Sequence, residues 1–506
     1  MTTAREGIVY LVGAGPGDPG LLTLRGAELL AAADVVVYDN LANPILLNHC
    51  PNAEKIYVGK QSSAHTLTQD QINALLVELG RSGKNVVRLK GGDPYIFGRG
   101  GEEAQVLLAA GIAFEEVPGI TAAIAAAAYA GIPATHRDFN SSFTIITGHE
   151  QEGGNTEMDW PTIARLPCMA FYMGVKSLPH ICSQLIAHGK PPSTPAASIQ
   201  WGTMPKQRTV VATLADLPEK IAAAGLKPPA ITIVGRVVEL RSTLNWFEKR
   251  PLFGKSIVVT RTRQQASDLS RKLSALGASV WEAPTLEIAA PKDPSAIDHA
   301  LKTASEYDWI IFTSANGVEF ARSRLTELNL DVRAFGNAKI AAIGDATAAA
   351  VRSKLALRVD LCPESFVAEA LANELITGKH VAGKKFLLLR ADIARPILVE
   401  KLRAAGAAKV EDIAIYESYP AKSLSPGLAA AIDAGEIDWI TFASASSAKN
   451  FISLLGDNAA GRLVRTKIAS IGPITTTAIK ELGLTLTVQA ETFNIDGLVA
   501  AIVAQK

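Results

Sequence analysis

What the chain has little of narrows its function first. Aromatic residues are only 6% of its 506 positions, too few for the stacking platforms on which single-stranded nucleic acids lie. Neither charge sign dominates, with 50 Lys and Arg against 49 Asp and Glu. The basic excess that displaces counterions from nucleic acid is therefore missing. Cysteines number four, Cys50, Cys168, Cys182 and Cys362. No pair has C-x-x-C spacing, so a zinc ribbon or a thioredoxin-like couple has no support, and four thiols are too sparse for a disulfide framework. The eight histidines are scattered without metal-ligand spacing, and no metal site is expected. The longest uncharged run, Val117–Thr135, is bracketed by Pro118 and Pro133. It leaves about a dozen residues of Ala-rich helix, too short to span a bilayer, and reads as a helix packed closely on a sheet. The start runs directly into a strand, without the cationic and apolar regions of a signal peptide. A cytosolic (cytoplasmic) protein that binds neither membrane nor nucleic acid is expected.

What is present is an ample apolar fraction, 48%, in a chain long enough for roughly three or four domains. GIVYLVGAG, DVVVYD, KNVVRLKGG, SFTIITGH, CMAFYMG and AITIVGRVV read as apolar strands ending in glycine or polar turns. Segments of helical spacing, such as LLTLRGAELLAAA and GGEEAQVLLAAG, lie between them. The class is α/β with mostly buried sheets. A boundary is expected in the charged stretch 240–256, which carries Pro251 and precedes a new strand. Beyond it the sequence repeats itself. GKSIVVTR from Gly254 matches GKKFLLLR from Gly383, and YDWIIFTSAN from Tyr307 matches IDWITFASAS from Ile437. LSALGA and LRAAGA, KIAAIGDAT and KIASIGPIT, and ESFVAEAL and ETFNIDGL follow the same order at nearly constant spacing. Five blocks in register mean a duplicated unit of about 125 residues, and hence two similar lobes that can face a ligand across a cleft.

Two glycine clusters stand out in the first half. Gly13-Ala14-Gly15-Pro16-Gly17-Asp18-Pro19-Gly20 follows a strand but fails G-x-G-x-x-G, because Asp18 replaces the third glycine. Its prolines also remove backbone donors a pyrophosphate would use. The motif points to a cofactor without phosphate contacts here, or to a tight turn alone, and it predicts no NAD-dependent oxidation by this chain. The second cluster, RLKGGDPYIFGRGGEE from Arg88, has five glycines between strand and helix, more than a turn needs, and reads as a ligand loop.

GAGPGDPGLLTLRG, VVYDNL, VGK, VVRLKGGDPYIFGRGGEE, VPGITAAIAAAAYAGIPATHRD, FYMG and PAITIVGRVV, taken in order, resemble the uroporphyrinogen-III C-methyltransferases of the tetrapyrrole methylase family. The resemblance implies two α/β subdomains within residues 1–248, split near 120, with S-adenosylmethionine in the cleft between them. It implies cofactor contacts at Pro16, Gly91, Gly92, Asp93, Ile96, Thr121, Ala122, Met173, Gly202 and Ala230. Asp39 matches the family's base and Lys60 its proton donor, in a loop slightly shortened against the common pattern. Proton removal from a pyrrole N–H raises the nucleophilicity of the ring carbon, so a carboxylate there suits the chemistry. No metal is needed, because the cofactor carries its own leaving group. The substrate has eight carboxylates, for which Arg88 and Arg137 are the candidate cations. The family also implies a homodimer through this half.

The duplicated half, 249–506, resembles the uroporphyrinogen-III synthases through VVTR, FTSANGV, IGDATA, IAIYESY and IGPITTTA. That resemblance implies one lobe from 254–290 plus 420–506 and another from 291–419. Ser314 and Ser444 occupy repeat-equivalent strand ends, and Thr347 and Thr475 each follow the glycine of their I-G block by three residues. Hydroxyls and helix-start N–H groups there would suit carboxylates or simply cap helices. Tyr416 matches a family tyrosine suited to helping a hydroxyl leave, or is a core tyrosine. The combined expectation is a bifunctional enzyme that closes hydroxymethylbilane to uroporphyrinogen III and methylates that twice to precorrin-2. Two alternatives stay open: a methylase acting on another corrinoid precursor, and a methylase joined to a non-catalytic two-lobed tetrapyrrole sensor.

Overall fold

Short runs rich in Val and Ile become strands here because branched side chains pack well on a pleated, buried surface. The computed structural model describes residues 7–59, 67–148, 158–260, 263–365 and 367–505. They divide into two compact units, one of residues 1–255 with 273–279, the other of 256–272 with 280–506. Both are α/β.

The first unit opens with β1 (Ile8–Gly13), β2 (Val35–Tyr38), β3 (Glu54–Tyr57), β4 (Asn85–Lys90) and β5 (Ala113–Val117). They form one parallel sheet in the order β3-β2-β4-β1-β5. Alternation places Tyr10, Val12, Val36, Val87 and Leu89 on one face, against helix Leu24–Ala31. Val9, Leu11, Val35, Val37 and Val86 pack on the other, against helices Gln69–Arg81 and Gly100–Ala109. The loops leaving the adjacent strands β1 and β4 thus head for opposite faces. Such a switch point opens a crevice beyond the carboxyl ends of the strands.

A second sheet follows, of β6 (Thr144–Thr147), β7 (Cys168–Tyr172), β8 (Pro195–Gln200), β9 (Arg208–Thr213) and β10 (Ala230–Gly235), in the mixed order β6-β7-β10-β8-β9. The Ala-rich run forms helix Ala122–Tyr129, shorter than the sequence implies, with Ala123, Ala126 and Ala127 in this sheet's core. The charged stretch 240–256 is no loose linker. Phe247 and Leu252 are buried, and the Glu248 carboxylate accepts hydrogen bonds from Gln207 Nε2 at 2.8 Å, Thr209 Oγ1 at 2.6 Å and Arg241.

The second unit holds β11 (Ser256–Val259), β12 (Ser279–Glu282), β13 (Leu286–Ala289), β14 (Trp309–Phe312), β15 (Lys339–Ala342), β16 (Lys385–Ala391), β17 (Lys409–Pro420), β18 (Trp439–Phe442), β19 (Lys467–Ser470) and β20 (Val488–Gln489). They form two sheets, β12-β11-β18-β19-β20 and β13-β17-β16-β14-β15. The first four strands of one match the last four of the other as sequence repeats. Each repeat therefore gives two of its matched strands to each sheet. The registers agree too: Trp309 lies opposite Lys339 and Phe386, and Trp439 opposite Lys467 and Ile257. β13 pairs antiparallel with β17, so the chain crosses to the second sheet just before Leu286.

Among the described residues no helix is long and apolar enough to cross a membrane. Nor, among them, do three or more His, Cys, Asp or Glu gather as a metal site would require.

Candidate functional site

At the carboxyl edge of the parallel sheet the glycine clusters meet. Gly15 and Gly92 exchange backbone hydrogen bonds, Gly15 N to Gly92 O at 3.1 Å and Gly92 N to Gly15 O at 2.7 Å. A Cβ on Gly13 would lie 2.5 Å from Gly119 Cα, and one on Gly91 2.5 Å from Leu41 Cβ, so both positions need glycine for close backbone approach. Gly92 differs. Its φ is +70°, and a Cβ there would find only Thr121 Cα, at 3.9 Å. Space is open between these two predicted cofactor residues.

The surrounding loops are held in conformations side chains usually avoid. Among the described residues of this unit, the non-glycine residues with left-handed φ are Phe97, Arg99, Met173, Trp201 and Thr203. All lie on loops after β4, β7 and β8. Each costs about 1–3 kcal/mol, and such strain concentrates at ligand sites. Ile96, Phe97 and Met173 are also exposed, an apolar rim unusual for solvated loops.

Tyr172 ties the two subdomains at this point. Its hydroxyl meets Thr121 Oγ1 at 2.5 Å and accepts Ala123 N–H at 2.7 Å, and its ring centroid is 5.3 Å from that of Phe97. Burial pushes the phenol pKa up. Thr121 thus starts helix Ala122–Tyr129 without capping it by its side chain. Gly202 lies so close to that helix that a Cβ would collide with Ala126, and Ala230 opens β10 opposite Gln200. Pro16, with Gly17 and Asp18, completes the ring of loops. Asp18 N–H donates to Thr203 Oγ1 at 2.9 Å, and Tyr129 OH donates to Asp18 Oδ2 at 2.7 Å.

Asp93 is more engaged than the sequence implies. Its Oδ1 accepts from Tyr95 and Ile96 N–H at 2.8 and 3.1 Å, and its Oδ2 accepts from Gly119 N–H at 3.1 Å. It braces the ligand loop against its neighbour.

Asp39 stands at the end of β2. Its Oδ1 accepts Leu41 N–H at 3.0 Å, and its Oδ2 accepts Arg88 Nη2 at 3.1 Å. The expectation that Arg88 meets substrate carboxylates is corrected here. Arg88 is 3% exposed and lies under helices Gln69–Arg81 and Gly100–Ala109, each of its three nitrogens engaged, by Glu103, the Leu89 carbonyl and Asp39. Strand alternation explains this: Val86, Arg88 and Lys90 share one face. Glu103 and Lys90, unassigned from sequence, complete a buried ion cluster. Burial, ahead of the neighbouring Arg88 charge, lowers the Lys90 pKa. Arg137 is exposed, beside the turn closed by His136 and Asn140. Lys60 lies outside the described residues.

In the second unit, Ser314 and Ser444 each cap a helix. Gly317 N–H donates to Ser314 Oγ at 3.0 Å, and Ser447 N–H donates to Ser444 Oγ at 3.1 Å. Ser314 Oγ also lies 3.0 Å from Tyr416 OH. Tyr416 stacks on Phe320, with centroids 5.4 Å apart, is only 6% exposed, and has its pKa raised by burial. Its ring is buried, and its hydroxyl reaches a capping serine. Thr347 and Thr475 are buried in the first turns of helices Asp345–Leu355 and Pro473–Glu481. Asn316, also buried, was not singled out by its sequence context.

A glycine-lined crevice at a parallel sheet's switch point, followed by a duplicated two-sheet unit, defines a fused two-part α/β protein. Residues 8–218 match the model of the tetrapyrrole (corrin/porphyrin) methylases, and residues 267–500 that of uroporphyrinogen-III synthase HemD. A porphyrin biosynthesis protein HemD of Ruminiclostridium josui is 41% identical over 496 residues, 98% of this chain and 97% of its own. The uroporphyrinogen-III C-methyltransferase of Bacillus subtilis (strain 168) is 46% identical over 333 residues, 65% of this chain and 68% of that protein. A crystal structure of the uroporphyrin-III C-methyl transferase of Thermus thermophilus, complexed with S-adenyl homocysteine, is 41% identical, covers 46% of this chain and 99% of that one, and superposes with a TM-score of 0.40. The chain belongs to the family of tetrapyrrole-biosynthesis proteins in which a tetrapyrrole methylase is fused to a uroporphyrinogen-III synthase.

Proposed function

We propose that the second unit closes hydroxymethylbilane to uroporphyrinogen III, and that the first methylates this product twice with S-adenosylmethionine to give precorrin-2. The observation that carries the methylase reading is Asp39. It is a partly exposed carboxylate pinned at a strand end, on the same sheet edge as the open space at Gly92. Gly92, Thr121, Ala122, Ile96 and Met173 fit the cofactor: backbone and apolar surface suit its methionine and adenosine parts, and no phosphate needs a donor. When bound, the cofactor supplies a methyl group on a sulfonium. Asp39 takes the pyrrole N–H proton as the ring carbon attacks, Lys60 returns a proton, and the exposed Arg137 meets substrate carboxylates. In the synthase unit, Ser314, Ser444, Thr347 and Thr475 hold the bilane through hydroxyls and helix-start N–H groups. Tyr416 aids departure of the hydroxyl. Shape and hydrogen bonding then decide the isomer, without a cofactor. The protein works in the cytoplasm as a homodimer through the methylase unit.

The test is one incubation of the purified protein with hydroxymethylbilane, with and without S-adenosylmethionine. Without it, type III isomer should exceed the spontaneous type I product; with it, precorrin-2 absorbance should appear. Type I product alone would make the second unit a sensor. Type III isomer that is never methylated would give the first unit another acceptor.

A further inference from the structure

We propose that Arg88, gripped by the buried pair Glu103 and Lys90, is a positioning residue that fixes the Asp39 carboxylate for proton transfer. The proposal rests on the reading of Asp39 as the base. β2 and β4 are adjacent and parallel, with Val37 opposite Arg88, so one residue type after another lines a single face: Val35, Val37 and Asp39 beside Val86, Arg88 and Lys90. At the carboxyl edge that face changes from apolar to charged. Each nitrogen of the Arg88 guanidinium has its own partner. Nε donates to Glu103 Oε1 at 3.3 Å, Nη1 to Leu89 O at 3.2 Å, and Nη2 to Asp39 Oδ2 at 3.1 Å. A planar fork held at three points cannot swing, and it passes that rigidity to the carboxylate.

Glu103 shows what this arrangement is for. Its Oε1 receives Arg88, Lys90 Nζ at 2.8 Å and Gln69 Nε2 at 3.2 Å. Among the described residues its Oε2 has no hydrogen-bond partner, and the side chain is 0% exposed. An orphaned carboxylate oxygen is costly, and well-packed apolar residues usually stabilise such a site better than buried ions do. The cluster is therefore poorly explained as a stabiliser of the sheet–helix contact. It is well explained as an anchor for Arg88. Without Arg88, Asp39 keeps, among the described residues, the Leu41 N–H on its other oxygen, and its carboxylate is free to turn.

The experiment uses the full chain and single-turnover transfer of a labelled methyl from S-adenosylmethionine to uroporphyrinogen III. Misplacing a reacting group costs up to about 100-fold, so Arg88→Lys, which keeps the buried charge but loses the fork, should lower the rate by roughly 10- to 100-fold. KM for S-adenosylmethionine should stay within about twofold, because only positioning of Asp39 is lost. Glu103→Gln, equal in size and still able to accept from Arg88 and Lys90 through its amide oxygen, should give a smaller loss of the same kind, with circular dichroism reporting the fold of both variants. In an Asp39→Asn background either change should add less than about threefold, since groups acting as a unit are not additive. Losses that multiply fully with Asp39→Asn, or folded variants with unchanged rates, would overturn the positioning role. Near-normal turnover of Asp39→Asn alone would overturn the base reading instead, and the coupling would still decide how Arg88 acts.

Discussion

Among the described residues Asp39 accepts one hydrogen bond on each carboxylate oxygen, and Asp39→Asn keeps the outline of the side chain but removes its basicity. Methyl transfer should fall by about 10²–10⁴, the usual cost of losing a general base. Cofactor affinity by calorimetry should be unchanged, and normal turnover would return Asp39 to a turn-forming role. In the synthase unit the same scale predicts small effects. Thr347 and Thr475 are repeat-equivalent first-turn residues, and each lost neutral hydrogen bond costs about 0.5–1.5 kcal/mol. Thr347→Ala or Thr475→Val should slow cyclisation modestly. Tyr416→Phe should slow it more, because the phenol also loses Ser314. Type III product should persist in all three. Abolition by either threonine change, with circular dichroism intact, would mean one dominant catalytic group instead of a shared surface.

Elements carry a different lesson, because their packing decides which residues a sequence can reveal. Glycines at positive φ or at close backbone approach leave a compositional trace, and both glycine loops were legible for that reason. Phe97, Arg99, Met173, Trp201 and Thr203 adopt the same backbone region, yet their side chains announce nothing. The alternation in NVVRLK was also legible, and followed strictly it puts Arg88 with Val86 on a covered face. What the chain alone did not display was Glu103, thirteen to fifteen positions away on a helix, whose charge makes that burial tolerable. The stretch 240–256, where the two units divide, is more firmly packed than its composition suggests. Its charges and Pro251 look like a linker, but Phe247 and Leu252 anchor it and Glu248 gathers three donors. Hydrogen bonds to a charged group contribute about 1.5–3 kcal/mol each. Glu248→Ala should therefore lower the first melting transition by several degrees, by roughly 2–4 °C per kcal/mol for a unit of this size. An unchanged transition in calorimetry would show the stretch to be dispensable.

The whole molecule contains one architecture that the repeat spacing hides. Each repeat splits its strands between two sheets, so a repeat is not a lobe. Yet the two sheets are built alike to the level of single contacts. Lys385 N–H donates to Asp308 Oδ2 at 2.9 Å in one, and Ser256 N–H to Asp438 Oδ2 at 2.8 Å in the other. Lys339 lies over the Trp309 ring at 5.5 Å, and Lys467 over Trp439 at 5.2 Å. Repeat spacing shows the duplication because these residues match; the exchange, which depends on where the chain crosses between sheets, is implied only by the family resemblance.

That crossing makes residues 286–420 an insertion. Ala421 N–H donates to Thr285 O at 3.1 Å, so the two ends of the inserted piece leave and return side by side. Its sheet, β13 to β17, and both apolar clusters on its faces, from Ile288 to Tyr416, lie within it. The remaining core joins Val258 and Ala283 to residues from Leu428 to Leu484. Insertions with adjacent ends and their own core fold independently as a rule. Residues 286–420 expressed alone should accordingly unfold in one cooperative transition. A second-unit fragment in which a short glycine-rich link joins Thr285 to Ala421 should likewise keep the first lobe folded. Neither should cyclise hydroxymethylbilane, because Ser314 and Tyr416 would be parted from Ser444 and Thr475. If residues 286–420 showed no cooperative transition, each lobe would need the other to fold, and the duplicated unit would be one indivisible domain.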